Sequence, residues 1–109
     1  MKYKHTIYLP RHDNELSHLS YVYAEDIQKR MTDSFITIFG GCTVHRLVEG
    51  CYKMPDGKIA YDSLTLIVVI TDTNNIEGVI AHFINDIKTK LNQESVLYTV
   101  EEYTNVVFL

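Results

Sequence analysis

The chain has 109 residues, of which 46% are hydrophobic and 22% charged, and its formal net charge is −4. This length and composition predict one globular domain over residues 1–109. The acidic balance argues against a binder of the nucleic-acid backbone, which normally carries a basic patch. The longest apolar stretch, residues 64–70, is too short to span a bilayer, and no signal peptide is recognisable. We therefore expect a cytoplasmic protein without nucleic-acid or membrane partners.

The first elements predicted are a strand and a helix. Residues 3–9 alternate in polarity and stop at Pro10, which is typical of a strand. After a polar stretch, apolar residues recur at spacings of three and four, and Asp13 or Asn14 is placed to cap the helix that this spacing predicts. The residues of this helical face are Leu16, Leu19, Tyr23, Ile27 and Met31.

Two strands joined by a hairpin are predicted next. Residues 35–39 are expected to lead through Gly40-Gly41, where the backbone can bend or bulge, into a strand over about residues 42–53. Proline, aspartate and glycine between residues 54 and 58 favour a tight turn. The third strand is expected over residues 58–71, which are rich in β-branched side chains.

A second helix and a last strand complete the chain. Apolar residues from Ile76 to Leu91 again follow helical spacing, and Asn92-Gln93 ends the helix. The last strand is expected over residues 95–109, with a break near Glu101-Glu102.

The order of these elements predicts an α+β fold of the ferredoxin-like type. Two apolar helix faces and four strands make a two-layer βαββαβ sandwich with a four-stranded antiparallel sheet. One face of that sheet has no helix to cover it. Parity allows Ile67 and Val69 to lie on the open face, and we then expect a second copy to cover them, in a ring or trimer.

No spacing of polar or ionisable residues in the chain identifies a reaction by itself. Cys42 and Cys51 do not have the spacing of a zinc site, and we predict neither a metal nor a cofactor. Asp62 stands out, because a carboxylate on a mostly apolar strand must lie at the end of the sheet or find a partner. Gln93-Glu94-Ser95 lies where the second helix meets the last strand. A solvated strand end and an ordinary helix end explain these two features equally well.

Three short motifs follow one another in the second half of the chain. They are Gly50-Cys51-Tyr52, Tyr61-Asp62-Ser63 and Asn92-Gln93-Glu94-Ser95-Val96. In order and spacing they resemble the S-adenosylmethionine lyases, small phage enzymes once called hydrolases. The same pattern resembles an uncharacterised bacterial family with a G-x-W…E-S…Q-x-S-V signature. The similarity covers about residues 40–109.

The resemblance implies a ferredoxin-like trimer with active sites between subunits. Its relatives include lyases of type III CRISPR antiviral defence, which degrade the conjugate SAM-AMP. Asp62 occupies the position of a family glutamate and is one methylene shorter, which puts its reach in question. By resemblance, the catalytic residues are Asp62 and Glu94, and the substrate-binding residues are Tyr52, Asp62, Ser63, Gln93, Glu94 and Ser95.

The implied reaction requires neither a metal nor water. The carboxylate of the substrate attacks its own γ-carbon and expels the sulfonium as a neutral thioether. The products are homoserine lactone and methylthioadenosine, or the AMP conjugate of the latter. A poorly solvating pocket and a curled methionine chain would accelerate this step. Two other functions stay open: a protein that binds a nucleotide signal without cleaving it, and a structural oligomerisation domain.

Overall fold

Two helices cover one face of a four-stranded antiparallel sheet in the computed structural model, which describes residues 1–13 and 17–109. The elements are β1 (Lys2–Pro10), α1 (His18–Phe39), β2 (Thr43–Lys53), β3 (Ile59–Thr71), α2 (Glu77–Lys90) and β4 (Tyr98–Tyr103). The strand order is β2-β3-β1-β4, and the ferredoxin-like α+β prediction is confirmed. No helix within the described ranges combines the length and apolarity needed to cross a membrane.

The hydrophobic core lies between the sheet and the two helices. Both helices form because each buries an apolar stripe against the sheet, and a fully buried aliphatic or aromatic side chain contributes about 1.5–3 kcal/mol. Leu19 is 55% exposed, so the helical face predicted for α1 is wrong at that residue, and Leu16 lies outside the described residues. The core residues are Ile7, Leu9, Ala24, Ile27, Met31, Phe35, Ile67, Val69, Ile76, Ile80, Phe83, Ile87 and Leu91.

Helix α1 is longer at its C-terminal end than the sequence predicts. Residues 35–39 continue the helix, because Phe35 is fully buried in the core. The helix ends at Gly40, whose φ of 88° lets its N–H donate to the carbonyl of Ile36. The irregularity expected at Gly40-Gly41 lies instead within β2, between His45 and Val48.

Two further boundaries differ from the predictions. Ser17 caps α1, since its hydroxyl accepts a hydrogen bond from the N–H of Ser20 at 3.3 Å. Asp13 lies before the cap and accepts hydrogen bonds from Ser17, while Asn14 lies outside the described residues. Strand β4 ends at Tyr103, so the prediction of a strand up to residue 109 is wrong.

The uncovered face of the sheet is the opposite of the one considered from the sequence. Ile67 and Val69 are 0% and 1% exposed and pack beneath the helices. Side chains alternate along a strand, so the even-numbered residues of β3 form the uncovered face, and Asp62 lies on that face. The apolar residues of β3 on it are Leu64, Leu66, Val68 and Ile70.

A buried polar network ties β1 to β4 and to the loop before α2. His5 is fully buried, and its Nδ1 accepts a hydrogen bond from the hydroxyl of Tyr98 at 2.6 Å. Its Nε2 donates to the carbonyl of Thr73 at 2.9 Å. The carbonyl of Thr73 can only accept, so Nε2 carries a proton, and the network holds the sheet edge against the loop before α2.

Candidate functional site

A cleft of about 770 Å³ opens at the end of the sheet where β1 ends and β3 begins. Tyr52, Asp62 and Leu64 line it from the uncovered sheet face, and residues 92–97, which connect α2 to β4, form its wall. The cleft therefore brings Tyr52 and Asp62 together with Gln93, Glu94 and Ser95. Its other lining residues are Tyr8, Pro10, Gly50 and Cys51.

Strand pairing explains why the segment 92–97 reaches this end of the sheet. Strand β4 pairs with β1 so that Tyr98 lies opposite Ile7, and the N–H of Tyr8 donates to the carbonyl of Leu97 at 3.0 Å. Strand β1 also pairs with β3, with Pro10 opposite Leu64. The end of β1 thus lies between the helix-end segment and the start of β3, and both flank one cleft.

Tyr52 and Asp62 are diagonal neighbours on the cleft face. Gly50 lies directly opposite Asp62 in the β2–β3 register, which places Tyr52 two residues further along β2. The negative charge of Asp62 raises the pKa of the Tyr52 hydroxyl, and partial desolvation and hydrogen bonding to the same carboxylate add to this. Tyr52 therefore stays a neutral donor beside a carboxylate acceptor.

The helix end presents Gln93 in a fixed position. Asn92 has a positive φ of 52°, which turns the chain out of the helix. The backbone N–H of Gln93 donates to the carbonyl of Lys88 at 3.0 Å, and its side-chain Nε2 donates to the carbonyl of Leu91 at 3.0 Å. This leaves the amide oxygen of Gln93 as the side-chain atom able to accept from a ligand. Glu94 and Ser95 follow as exposed residues of the cleft wall.

Ser63 is the predicted site residue that does not line this cleft. Its side chain projects from the opposite face of β3 to that of Asp62, because neighbouring residues on a strand alternate. Its carbonyl accepts a hydrogen bond from the N–H of Arg11 at 3.1 Å. Ser63 lines a smaller cavity of about 320 Å³, together with His12 and Glu49.

The charges of the cleft favour a positively charged ligand. Its described lining contains two carboxylates, Asp62 and Glu94, and neither lysine nor arginine. Within residues 1–13 and 17–109, no group of three or more His, Cys, Asp or Glu is placed to hold a metal ion. Cys42 and Cys51 are both free thiols.

Several residues that line the cleft are not predicted as site residues by the sequence. Tyr8, Pro10 and Leu64 carry no motif, and their place in the cleft depends on the β1–β3 register. Leu97 belongs to the wall through its backbone bond to Tyr8. Pro10 predicts where β1 ends, and the end of β1 lies at the cleft.

No family model and no curated protein matches this chain. Among solved structures, the divalent ion tolerance protein CutA1 from Ehrlichia chaffeensis superposes with a TM-score of 0.57 at 14% identity, over 97% of this chain and 84% of that one. The divalent cation tolerance protein CutA1 from Thermus thermophilus gives a TM-score of 0.59 at 11% identity, over 98% and 88%.

A phage SAM lyase in complex with S-methyl-5′-thioadenosine is also similar in structure. Its TM-score is 0.56 at 17% identity, over 93% of this chain and 81% of that one. CutA1 proteins are the more frequent match. Identities this low show a common fold, and one fold hosts many unrelated functions.

Proposed function

We propose that the protein is a lyase that converts S-adenosylmethionine into S-methyl-5′-thioadenosine and homoserine lactone. One observation carries this proposal: a single cleft joins the motifs that resemble the S-adenosylmethionine lyases, which lie about thirty residues apart in the chain. The fold shared with a phage SAM lyase supports it. The absence of basic residues from the described lining suits a substrate that carries a sulfonium and an ammonium group.

The reaction proceeds within the substrate. An oxygen of its carboxylate forms a bond to the γ-carbon, and the bond from that carbon to sulfur breaks with both electrons going to sulfur. Asp62 and Glu94 accept hydrogen bonds from ribose hydroxyls or from the ammonium group, and the Gln93 amide oxygen and Ser95 add further polar contacts. Tyr52 forms a wall and donates to Asp62. The protein contributes binding and orientation, which are worth several kcal/mol when reacting atoms are held in contact.

The free substrate suits the cleft better than its AMP conjugate. A phosphate is normally bound by Arg, Lys or backbone N–H groups at a helix N-terminus. The described lining has no basic side chain, and its helix contributes a C-terminal end, which carries partial negative charge. We therefore place S-adenosylmethionine ahead of SAM-AMP.

We also propose that the protein acts in the cytoplasm as a homotrimer, with sites completed between subunits. On the uncovered face of β3, Leu64 and Leu66 are half-buried and Ile70 is exposed, so a neighbouring subunit would cover these three, whereas Val68 is already buried. The cleft opens on this same face, so a neighbouring subunit seated there would also close the cleft.

Non-catalytic binding is the second candidate function. Asp62 is shorter than the glutamate of the resembling family, and a carboxylate set back from its ligand can bind without orienting it for reaction. The structural similarity to several CutA1 divalent cation tolerance proteins suggests metal handling as a third candidate function. That function has less support, because the described residues offer no group of three metal donors.

A chromatographic assay of the purified protein with S-adenosylmethionine distinguishes these functions. We expect equal amounts of S-methyl-5′-thioadenosine and homoserine lactone, at a rate that a chelator does not change. Activity that requires an added divalent metal would overturn the lyase proposal, and binding without turnover would favour the second candidate. SAM-AMP assayed in parallel tests the choice of substrate, since faster turnover of the conjugate would reverse it.

A further inference from the structure

The lining of the cleft changes from polar to apolar along the sheet. Asp62 lies near the start of β3, and Leu64 lies two residues further in, opposite Pro10 on β1. Leu66 and Tyr8 form the next pair on the same sheet face. The Asp62 carboxylate therefore lies towards the end of the sheet, and apolar side chains follow it inwards along β1 and β3.

Tyr8 lies at the centre of this apolar part of the cleft. Its side chain is on the uncovered face, because that of its neighbour Ile7 is fully buried beneath the helices. On one side, Leu64 is its diagonal neighbour on β3. On the other side, its backbone N–H donates to the carbonyl of Leu97 at 3.0 Å. Tyr8, Leu64 and Leu97 all line the cleft, so the half-buried ring of Tyr8 is accessible to a ligand there.

A planar base is the kind of group that suits this apolar part. Every nucleobase has a π-face that stacks on aromatic side chains, and leucines beside the aromatic ring add apolar contact area. Tyr52, the other aromatic residue of the described lining, is placed differently, because its hydroxyl is beside the Asp62 carboxylate. Tyr8 is therefore the better platform for a base.

The position of Tyr8 also agrees with the ribose contacts of the proposed function. Asp62 is two residues from Leu64 on one strand, which corresponds to about 7 Å. A nucleoside whose ribose lies at Asp62 extends its base either out of the cleft or inwards, to Leu64 and Tyr8. The inward direction is favoured, because it removes the base from water.

We propose that the base of the substrate binds against the ring of Tyr8, between Leu64 and Leu97, a proposal that rests on the lyase function above. Tyr8 is a binding residue and touches none of the reacting atoms. Its contact with the base is the same in the substrate and in the transition state, and such uniform binding lowers KM without changing kcat. Loss of the ring should therefore raise KM for S-adenosylmethionine and leave kcat unchanged.

Binding of S-methyl-5′-thioadenosine tests the base site without turnover. By calorimetry we expect Tyr8→Ala to weaken binding by about ten- to a hundred-fold, the usual effect of losing an aromatic ring on which a base stacks. Tyr8→Phe keeps the ring and should bind as the unmodified protein does. Tyr103→Ala is the matched control and should not alter the affinity, because Tyr103 pairs with Lys2 at the far end of the same sheet face, outside the cleft.

A second measurement needs no disruptive variant. In the complex of the unmodified protein with S-methyl-5′-thioadenosine, we expect nuclear Overhauser effects between the base protons and the ring protons of Tyr8. Tyr8→Phe assigns the tyrosine signals. This measurement decides the question if thermal melts show that Tyr8→Ala does not fold.

The outcomes separate this inference from the function on which it rests. If the unmodified protein binds S-methyl-5′-thioadenosine, but Tyr8→Ala binds it equally well or no Overhauser effect reaches Tyr8, the base site is wrong and the lyase proposal stands. If Tyr8→Ala and Tyr103→Ala weaken binding alike, the ring of Tyr8 is not the contact and the inference is overturned. If the unmodified protein neither binds S-methyl-5′-thioadenosine nor cleaves S-adenosylmethionine, both proposals fail.

Discussion

Replacing Asp62 with asparagine removes one negative charge from the centre of the proposed site and changes little else. The side chains are nearly isosteric, and Asp62 is partly exposed at the start of β3, so stability should change by no more than about 0.5 kcal/mol. If the carboxylate binds the substrate, its charge-assisted hydrogen bonds are worth about 1.5–3 kcal/mol. At about 1.4 kcal/mol for each factor of ten, kcat/KM should fall by about ten- to a hundred-fold.

The structure supplies a second readout that does not depend on the proposed function. Because the charge of Asp62 is the main cause of the raised pKa of Tyr52, that pKa should fall towards its ordinary value in Asp62→Asn. A titration of the tyrosine ring carbons by NMR, with Tyr52→Phe to assign the signal, measures it. Asp62→Glu restores the residue of the resembling family and should keep measurable activity. Asp33→Asn, on the exposed side of α1, removes the same charge away from the cleft and should leave kcat/KM unchanged.

One result would refute this reasoning. If the Tyr52 pKa falls in Asp62→Asn while kcat/KM and the thermal melt stay at the values of the unmodified protein, the charge has been removed without consequence. Asp62 would then be a solvated strand end, and its likeness to the family glutamate would be positional only.

Three further predictions follow from the structure. A Cβ at Gly50 would lie 3.1 Å from Leu64 Cδ1, so Gly50→Ala should push Leu64 into the cleft and raise KM for S-adenosylmethionine. Gly41→Ala is the control, because Gly41 has open space around it, and it should leave KM unchanged. Kinetics unaltered by Gly50→Ala would contradict this prediction. Tyr98→Phe leaves Nδ1 of buried His5 without its donor and should cost about 1–3 kcal/mol in urea unfolding; an unchanged midpoint would show that the bond is not needed. Light scattering should give a mass near three times the 12.6 kDa chain, and a monomer at micromolar concentration would rule out sites between subunits.

Hydrophobic periodicity was sufficient to predict the fold, because burial on one side decides which segments become helices and strands. It could not decide which face of β3 the helices cover. Ile67 and Val69 on one side and Leu66 and Val68 on the other are equally apolar, so parity separates the two sets without ranking them. Residues 35–39 were not predicted as helix for a related reason, because their β-branched and aromatic side chains favour a strand locally. Burial of Phe35 in the core overrides that preference.

The sequence predicts most residues of the candidate site, but it does not predict that they meet in one cleft. Asp62 and the helix-end segment were recognised separately, and the sequence left open whether they meet. Their meeting depends on two registers at once, Ile7 with Tyr98 and Pro10 with Leu64, and a slip of one residue in either would turn the lining side chains to the other face. Ser63 was grouped with Asp62 as its neighbour in sequence, although alternation along a strand sends the two side chains to opposite sides.

The role of Asp62 is constrained by the chemistry of the proposed reaction. The reaction cancels a sulfonium charge against a carboxylate, so a protein carboxylate beside the sulfonium would stabilise the ground state more than the transition state and would slow the step. Asp62 therefore assists only if it acts at another part of the substrate. The cleft, at about 770 Å³, is large enough to allow this, because Asp62 can bind the ammonium while the sulfonium lies elsewhere in the cleft. The two placements predict opposite changes: Asp62→Asn should raise kcat if the carboxylate faces the sulfonium. It should lower kcat/KM if the carboxylate holds the ammonium.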